Sequence, residues 1–121
     1  MKYIIDLIED VREQIGNHEE YSVTAGLLKR DVHDSSKLIY AGEAPLNMYH
    51  IDKTAKELCF VIDGSNTKLT IGELIPTLLI LDMDAMMYSL KIDVSEQYKG
   101  MEVVGFGKND EERRYILFIK I

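Results

Sequence analysis

The chain has 121 residues, 46% hydrophobic and 29% charged, which is typical of one globular domain, 1–121, and excludes a disordered segment. Its formal net charge is −7, which argues against direct nucleic-acid binding because neutralising phosphates requires clustered lysine and arginine. The longest apolar runs fall well short of the roughly 20 residues that cross a bilayer. The acidic first residues do not resemble a signal peptide, and the single cysteine fits a reducing compartment. We therefore expect a cytoplasmic protein without membrane contact.

The first predicted element is an amphipathic helix over about residues 3–15. Its apolar residues recur with the 3.6-residue period of a helix, and acids occupy the other side. The apolar positions are Ile4, Leu7, Ile8, Val11 and Ile15. Gly16 follows as a residue that tolerates the left-handed backbone of a helix end. Tyr21 to Leu27 then alternate as a strand with one apolar face.

Residues 31–57 carry the weakest pattern in the chain. Polar, turn-forming residues occupy 31–37, and short strands are predicted near 38–40 and 48–51. Leu58 to Ile62 is almost entirely apolar, which predicts a strand inside the sheet. The turn from Asp63 to Asn66 marks the boundary between the two halves of the chain.

The second half is predicted to begin with another helix. Thr70 and Glu73 fit a capping box, in which each side chain satisfies a backbone N–H at the helix start. Pro76 either kinks this helix or marks a later start, because proline lacks the N–H that a helix interior needs. The run 78–81 is apolar on all sides, so we expect fuller burial than for the first helix. Strands are predicted over about 88–94, 101–106 and 115–121, with a hairpin turn at 107–111.

The two halves resemble each other in sequence. A shift of 67 positions places Ile4 on Ile71 and Tyr21 on Tyr88, and a shift of 57 places the strand 58–62 on 115–119. We therefore predict two tandem αβββ units, 1–63 and 68–121, related by pseudo-twofold symmetry. Short connections favour antiparallel neighbours, so the expected fold is α+β, an antiparallel sheet of about six strands with the helices on one face.

The start of the second unit resembles a module of small phage- and plasmid-encoded proteins of unassigned function. That module has threonine, an aliphatic residue, one variable residue, then Glu-Leu-Ile, a helix, Asp-Ala and a strand. Here these are Thr70, Ile71, Gly72, Glu73, Leu74 and Ile75, then Leu78, Asp84 and Ala85, within about Leu69–Ile121. Pro76 and the Met86–Met87 pair depart from the module. The resemblance implies a mobile-element context and no catalytic residue.

Several residues carry reactive groups, but none forms a catalytic or metal-binding pattern. His33 stands between Asp31 and Asp34, yet a zinc site needs three or four ligands and no further cluster is near in sequence. His18 and His50 are more typical of surface positions. Cys59 lies in an apolar strand, where desolvation raises the pKa of a thiol and leaves it inert. The segment 105–108 lacks half of the P-loop pattern and favours a bulge or hairpin.

The leading hypothesis is therefore a binding protein that is not an enzyme and needs no cofactor or metal. Its acidic surface would bind a basic protein, and the phage-like module suggests an inhibitor of a nucleic-acid-binding enzyme, of the anti-defence, anti-CRISPR or immunity type. The first unit's acids would contribute, with two tyrosines at equivalent positions as aromatic contacts. These partner-binding candidates are Glu9, Asp10, Glu13, Glu19, Glu20, Asp31, Asp34, Tyr21 and Tyr88.

Two other functions fit the same sequence. One is a small-ligand binder or an enzyme with its site where the two units meet, since ligand sites favour such junctions. The other is a structural self-association module, such as a homodimer, formed through the apolar second helix and an exposed last strand at 115–121. The methionines Met83, Met86 and Met87 would then belong either to the core or to a binding face.

Overall fold

The computed structural model describes residues 1–16 and 20–121, and these form an α+β domain. In chain order the elements are α1 (Ile4–Gln14), β1 (Ser22–Arg30), β2 (Leu38–Pro45), β3 (Met48–Asp52), β4 (Glu57–Val61), α2 (Ile71–Leu79), a 3₁₀ helix (Met83–Met87), β5 (Ser89–Asp93), β6 (Met101–Asn109) and β7 (Arg114–Lys120). The α+β prediction is confirmed, and the strand 58–62 lies inside the sheet as predicted.

The seven strands form one mixed sheet in the order β2-β1-β7-β6-β5-β4-β3. The prediction of purely antiparallel pairing was wrong, because β1 pairs parallel with β7 and β4 pairs parallel with β5. The rule on short connections applies only to strands that follow each other directly. β1 and β7 are far apart in the chain, and residues 62–88 between β4 and β5 are long enough for a crossover that contains α2.

The two end strands of this order, β2 and β3, follow each other in the chain and are joined by Leu46 and Asn47 alone. Three peptide links span at most about 11 Å, whereas the ends of a flat seven-stranded sheet would lie about 29 Å apart. The sheet must therefore curl until its ends approach. At the link, Leu46 N donates to Val23 O in β1 at 3.1 Å, and Asn47 N donates to Val61 O in β4 at 3.1 Å.

Two further features of the sheet differ from the prediction. The short strands predicted near 38–40 and 48–51 are present as β2 and β3, which pair with β1 and then with β4, so the total is seven strands and not about six. In the second half, β6 similarly pairs first with β5 and then with β7. The last strand was expected at an exposed edge, but β7 lies between β1 and β6.

Alternate strand residues and both helices bury one continuous apolar core. The sheet contributes Val23, Ala25, Leu58, Phe60, Leu90, Ile92, Val103, Tyr115, Leu117 and Ile119, and the helices contribute Ile4, Leu7, Ile8, Val11, Ile71, Leu74 and Leu78. Cys59 and Ile116 point from the other face and are buried outside this cluster. The period-2 and period-3.6 patterns of the sequence thus converge on one face of the sheet.

The two helices begin and end largely where the sequence indicates. The Tyr3 N–H donates to Asp6 Oδ2 at 2.8 Å at the start of α1, and the Thr70 hydroxyl accepts from the Glu73 N–H at 3.3 Å at the start of α2. Gly16 has the positive φ of 58° expected after α1. Pro76 lies inside α2. Fuller burial of α2 was a wrong prediction, because the helix ends with exposed Leu79.

Backbone hydrogen bonds between the halves hold the start of each helix. Ile4 N donates to Tyr88 O at 3.0 Å, and Ile71 N donates to Tyr21 O at 2.9 Å. Two others beside the helix starts run from Leu90 N to Lys2 O at 2.9 Å and from Val23 N to Leu69 O at 2.8 Å. Each helix therefore starts against the strand that follows the other helix, which satisfies N–H groups that have no partner within a helix.

The buried side chain of Asn47 fixes the segment after β4. Its Nδ2 donates to Thr67 O at 2.7 Å and Ser65 O at 3.2 Å, and its Oδ1 accepts from Asp63 N at 2.9 Å. We expect Asn47→Ala to lower the free energy of unfolding by about 2–4 kcal/mol, because it leaves polar backbone groups without partners near the core. Urea unfolding measures this loss. The exposed Asn66→Ala in the same segment is the control, and an equally small effect at both sites would contradict the assignment.

Phe118 lies flat on the outer face of the sheet over two glycines. A Cβ on Gly26 would be 2.6 Å from the Phe118 ring, and a Cβ on Gly107 would be 2.8 Å from it, whereas a Cβ on Gly105 would meet nothing within 4 Å. The ring of Tyr40 meets Phe118 edge-on, with centroids 6.3 Å apart. The two glycines are therefore required by close approach of a ring and not by backbone conformation.

A pair of alanine substitutions in β6 tests this packing. Gly107→Ala should lower the free energy of unfolding by about 1–3 kcal/mol because it overpacks against the ring. Gly105→Ala should change it by less than about 0.5 kcal/mol. Urea midpoints give both values, and the Gly107→Ala loss should shrink in a Phe118→Leu background. Equal losses at the two glycines would show that general strand preference, and not the ring, determines the effect.

Candidate functional site

Four carboxylates lie along one face of α1. Asp6, Glu9, Asp10 and Glu13 are spaced three, four and seven residues apart, so they are neighbours on the helix surface. With Lys2 and Phe106 they line a depression of about 180 Å³, here called the acidic groove. The sequence identified Glu9, Asp10 and Glu13. It missed Asp6, although the spacing to Asp10 signalled it, and it missed Phe106, which β6 brings from far along the chain.

The four carboxylates differ in what they already bind. Asp6 accepts the Tyr3 N–H, and Asp10 accepts the Tyr115 hydroxyl at 2.6 Å and Gln14 Nε2 at 3.5 Å. Glu9 and Glu13 are exposed and have no hydrogen bond or ion pair with any part of the chain that the structure describes. Asp6 and Asp10 therefore hold the helix in place, and Glu9 and Glu13 remain available to a partner.

Tyr115 lies behind the groove and contacts two of its lining residues, Asp10 and Phe106. Its side chain is fully buried, and burial, followed by the hydrogen bond to Asp10, raises the pKa of its hydroxyl. Phe106 stacks on it with centroids 6.1 Å apart, and Lys2 Nζ lies 5.7 Å from the Phe106 ring centroid. A neutral phenol that donates to a carboxylate keeps Asp10 fixed beside the two free glutamates.

The other acids predicted for the partner surface lie elsewhere. Glu20 is 3.8 Å from Arg113 Nη1. Asp31 and Asp34 lie between β1 and β2, where Asp31 accepts the His33 N–H at 2.9 Å and Asp34 accepts from Ser36 N and Oγ. They follow the far end of β1, about 30 Å along the strand from Ser22, so they do not join the groove. Glu19 and His18 lie outside the described residues.

The two predicted tyrosines have different surroundings. The Tyr21 hydroxyl donates to Asp110 Oδ1 at 2.5 Å, and this hydrogen bond is the largest cause that raises its pKa. Its side chain is buried, which favours an anchoring role. Tyr88 is half-buried and borders two surface cavities of about 360 and 540 Å³ beside the 3₁₀ helix.

Three further features of the sequence are the Cys59 thiol, the possible metal ligands and residues 105–108. Cys59 faces His50 on β3 and Lys91 on β5, but burial, and next the nearby Asp93 carboxylate, raises the pKa of its thiol to about 12. The expected desolvation of this thiol is thus present. Over residues 1–16 and 20–121, no group of three or more histidine, cysteine or acidic side chains is placed to hold a metal ion. Residues 105–108 lie within β6, after the register shift of a bulge.

The junction of the two units was the site expected for a small ligand, and α1 of the first unit meets α2 of the second there. A crevice of about 200 Å³ opens there, lined by Val11, Gly16, Ile71, Gly72, Ile75, Pro76 and Leu79. Its side chains are apolar, so it lacks the convergent polar groups that orient a substrate.

Comparison with known proteins found no family model that matches the chain, and no curated protein or solved structure that matches it. Among the described residues, neither helix has the length and apolar character needed to span a membrane.

The raised pKa of Tyr115 predicts a loss of stability at alkaline pH. The unfolded phenol ionises near pH 10, whereas the folded one stays protonated, so the folded state binds more protons above that pH. Its contribution is fully present below about pH 10 and is lost as the pH rises further. Tyr115→Phe should lower stability at pH 8 by about 1–3 kcal/mol and make the decline above pH 10 shallower.

Urea unfolding at a series of pH values from 8 to about 11 measures both effects. The exposed Tyr98→Phe is the control and should leave the slope unchanged. A Tyr115→Phe protein whose stability falls as steeply as that of the wild type would contradict the assignment.

Proposed function

We propose that this protein is a non-enzymatic binding protein whose acidic groove receives a basic segment of another protein. The observation that carries the proposal is the pair Glu9 and Glu13, exposed and without partners in the described structure, beside the anchored Asp6 and Asp10. A partner's arginine or lysine would gain charge-assisted hydrogen bonds there without displacing an existing ion pair.

The net charge of the whole chain also favours a basic partner. A net charge of −7 attracts a basic partner over distances of about 8 Å at physiological salt, and raises the rate of encounter more than the final affinity. The Phe106 ring borders the groove, but Tyr115 stacks on it and Lys2 Nζ lies 5.7 Å from its centroid, so the carboxylates, and not the ring, would contact the partner. Arginine is the preferred contact residue of the partner, because its planar guanidinium can donate two parallel hydrogen bonds to a carboxylate.

The partner class that we propose is a nucleic-acid-binding enzyme. Such enzymes present a groove of arginine and lysine to phosphates, and a helix with carboxylates on one face offers negative charge to the same groups. The resemblance of residues 69–121 to phage and plasmid proteins favours this class. The protein would then act in the cytoplasm as an anti-defence or immunity-type inhibitor.

We further propose that the chain consists of two tandem αβββ units related by a pseudo-twofold axis. Equivalent contacts support this. Ser22 pairs with Arg114, and Ser89 pairs with Glu57, at the offsets of 67 and 57 found in the sequence. Lys56 and Arg113, which also differ by 57, are the described non-glycine residues with positive φ, at 58° and 53°. The groove uses α1 of the first unit and β6 of the second.

Neutralising the two free glutamates tests the groove. The doubly substituted Glu9→Gln, Glu13→Gln protein should bind a fluorescent oligoarginine peptide several-fold more weakly at low salt, because two exposed charges are lost at the site. The difference should shrink at about 1 M salt, where screening limits charge interactions to roughly 3 Å. Fluorescence anisotropy measures both affinities.

The matched control is Glu96→Gln, Glu102→Gln, which has the same net charge and changes exposed acids away from α1. If both variants lose affinity equally, binding depends on net charge and the groove is not the site. Capture from host lysate at low and high salt, with mass spectrometry, tests the partner class. A basic nucleic-acid enzyme retained by the wild type and lost by the groove variant is the expected result.

A further inference from the structure

A second surface, separate from the acidic groove, exposes four large apolar side chains around the end of α2 and the 3₁₀ helix. Leu79 is 55% exposed, Ile80 83%, Met83 85% and Met87 60%. These four residues are here called the apolar corner. Neighbouring side chains of the same segment, Leu78 and Ala85, are buried. Clustered exposure of this kind in a folded chain indicates an interaction surface.

The charges around the apolar corner are balanced and lie on two sides. Lys53 and Lys56 belong to the turn between β3 and β4, and Asp82 and Asp84 belong to the 3₁₀ helix and the residue before it. One cavity of about 360 Å³ is lined by Lys53, Ile80, Asp82 and Asp84, and another of about 540 Å³ by Lys56, Met83, Asp84 and Met87. No ion pair joins these lysines to these aspartates within residues 1–16 and 20–121.

We propose that the apolar corner is a homodimer interface, and that its occupant is the same surface of a second copy of this chain. In a twofold contact the same patch of both copies forms the interface. A contact of residue i in one copy with residue j in the other is therefore repeated as a contact of j with i. The lysines of one copy would face the aspartates of the other, and the methionines would interdigitate at the centre. The apolar side chains would fill the two cavities.

The charge balance favours a second copy over a basic partner. A strongly basic protein would meet Lys53 and Lys56 as like charges at this surface, whereas it would meet only acids beside α1, apart from Lys2. Most of a chain with net charge −7 repels a copy of itself. The apolar corner, with two bases and two acids at its rim, is a place where that repulsion is cancelled.

Charge exchange tests the proposal directly. One variant carries Asp82→Lys and Asp84→Lys, and the other carries Lys53→Asp and Lys56→Asp. Each should self-associate at least about tenfold more weakly than the wild type, because like charges would oppose each other across the axis. An equimolar mixture of the two should recover dimer. The Asp82 side chain makes no capping hydrogen bond to the 3₁₀ helix, so its exchange does not remove a structural contact.

Sedimentation velocity over a range of concentrations measures the association, and circular dichroism checks folding. Met83→Lys should weaken the dimer, whereas Met48→Lys, at a methionine 46% exposed on β3, should not. The Glu9→Gln, Glu13→Gln protein should dimerise as the wild type does, which separates this surface from the acidic groove. A wild type that remains monomeric at about 1 mM, or a mixture of the exchanged proteins that fails to pair, overturns the proposal.

Discussion

The link of Leu46 and Asn47 is the constraint on which the rest of this structure depends. Two residues join the strands at opposite ends of a seven-stranded order, so the sheet can exist only in a curled form. Curling gives it a concave side, and that side holds the apolar residues of five strands together with both helices. Hydrogen bonds of the Asn47 side chain then fix the segment that leads into α2. Its burial is tolerated because its amide oxygen and nitrogen are hydrogen-bonded.

The acidic groove follows from this arrangement. The start of α1 is held by the Ile4 N–H bond to Tyr88, and its middle is held by the Tyr115 hydroxyl on Asp10. Both anchors come from the second half of the chain. With the buried face of α1 fixed, the outward face presents Glu9 and Glu13 at a defined distance from Phe106. A recognition site on a helix supported in this way loses little conformational entropy when a partner binds.

The sequence predicted the elements better than their arrangement. Helix starts, apolar periods and the inert thiol depend on neighbouring residues, and these could be read directly. The parallel pairing of β1 with β7 could not, because it joins Ser22 to Arg114 and no local pattern specifies a partner that distant. Only part of the groove was predicted, because local patterns do not specify residues that the fold brings from far along the chain. Its glutamates share one helix, whereas Phe106 and Tyr115 reach it only through the fold. The sequence predicted burial for the apolar run that contains Ile80, whereas Ile80 is exposed. Composition alone does not distinguish an apolar run on the surface from one in the core.

The position of β7 has a consequence for synthesis of the chain. β7 follows the other described strands in the sequence, yet it lies between β1 and β6 near the middle of the sheet. Until Arg114 to Lys120 emerges, β1 lacks its inner neighbour and β6 has only a short pairing with β5. Before β7 is made, β1 and β6 therefore each expose an unpaired strand edge, and such edges template aggregation. A chain truncated before Arg114 would lack a central strand, so cellular quality control should treat it as unfolded.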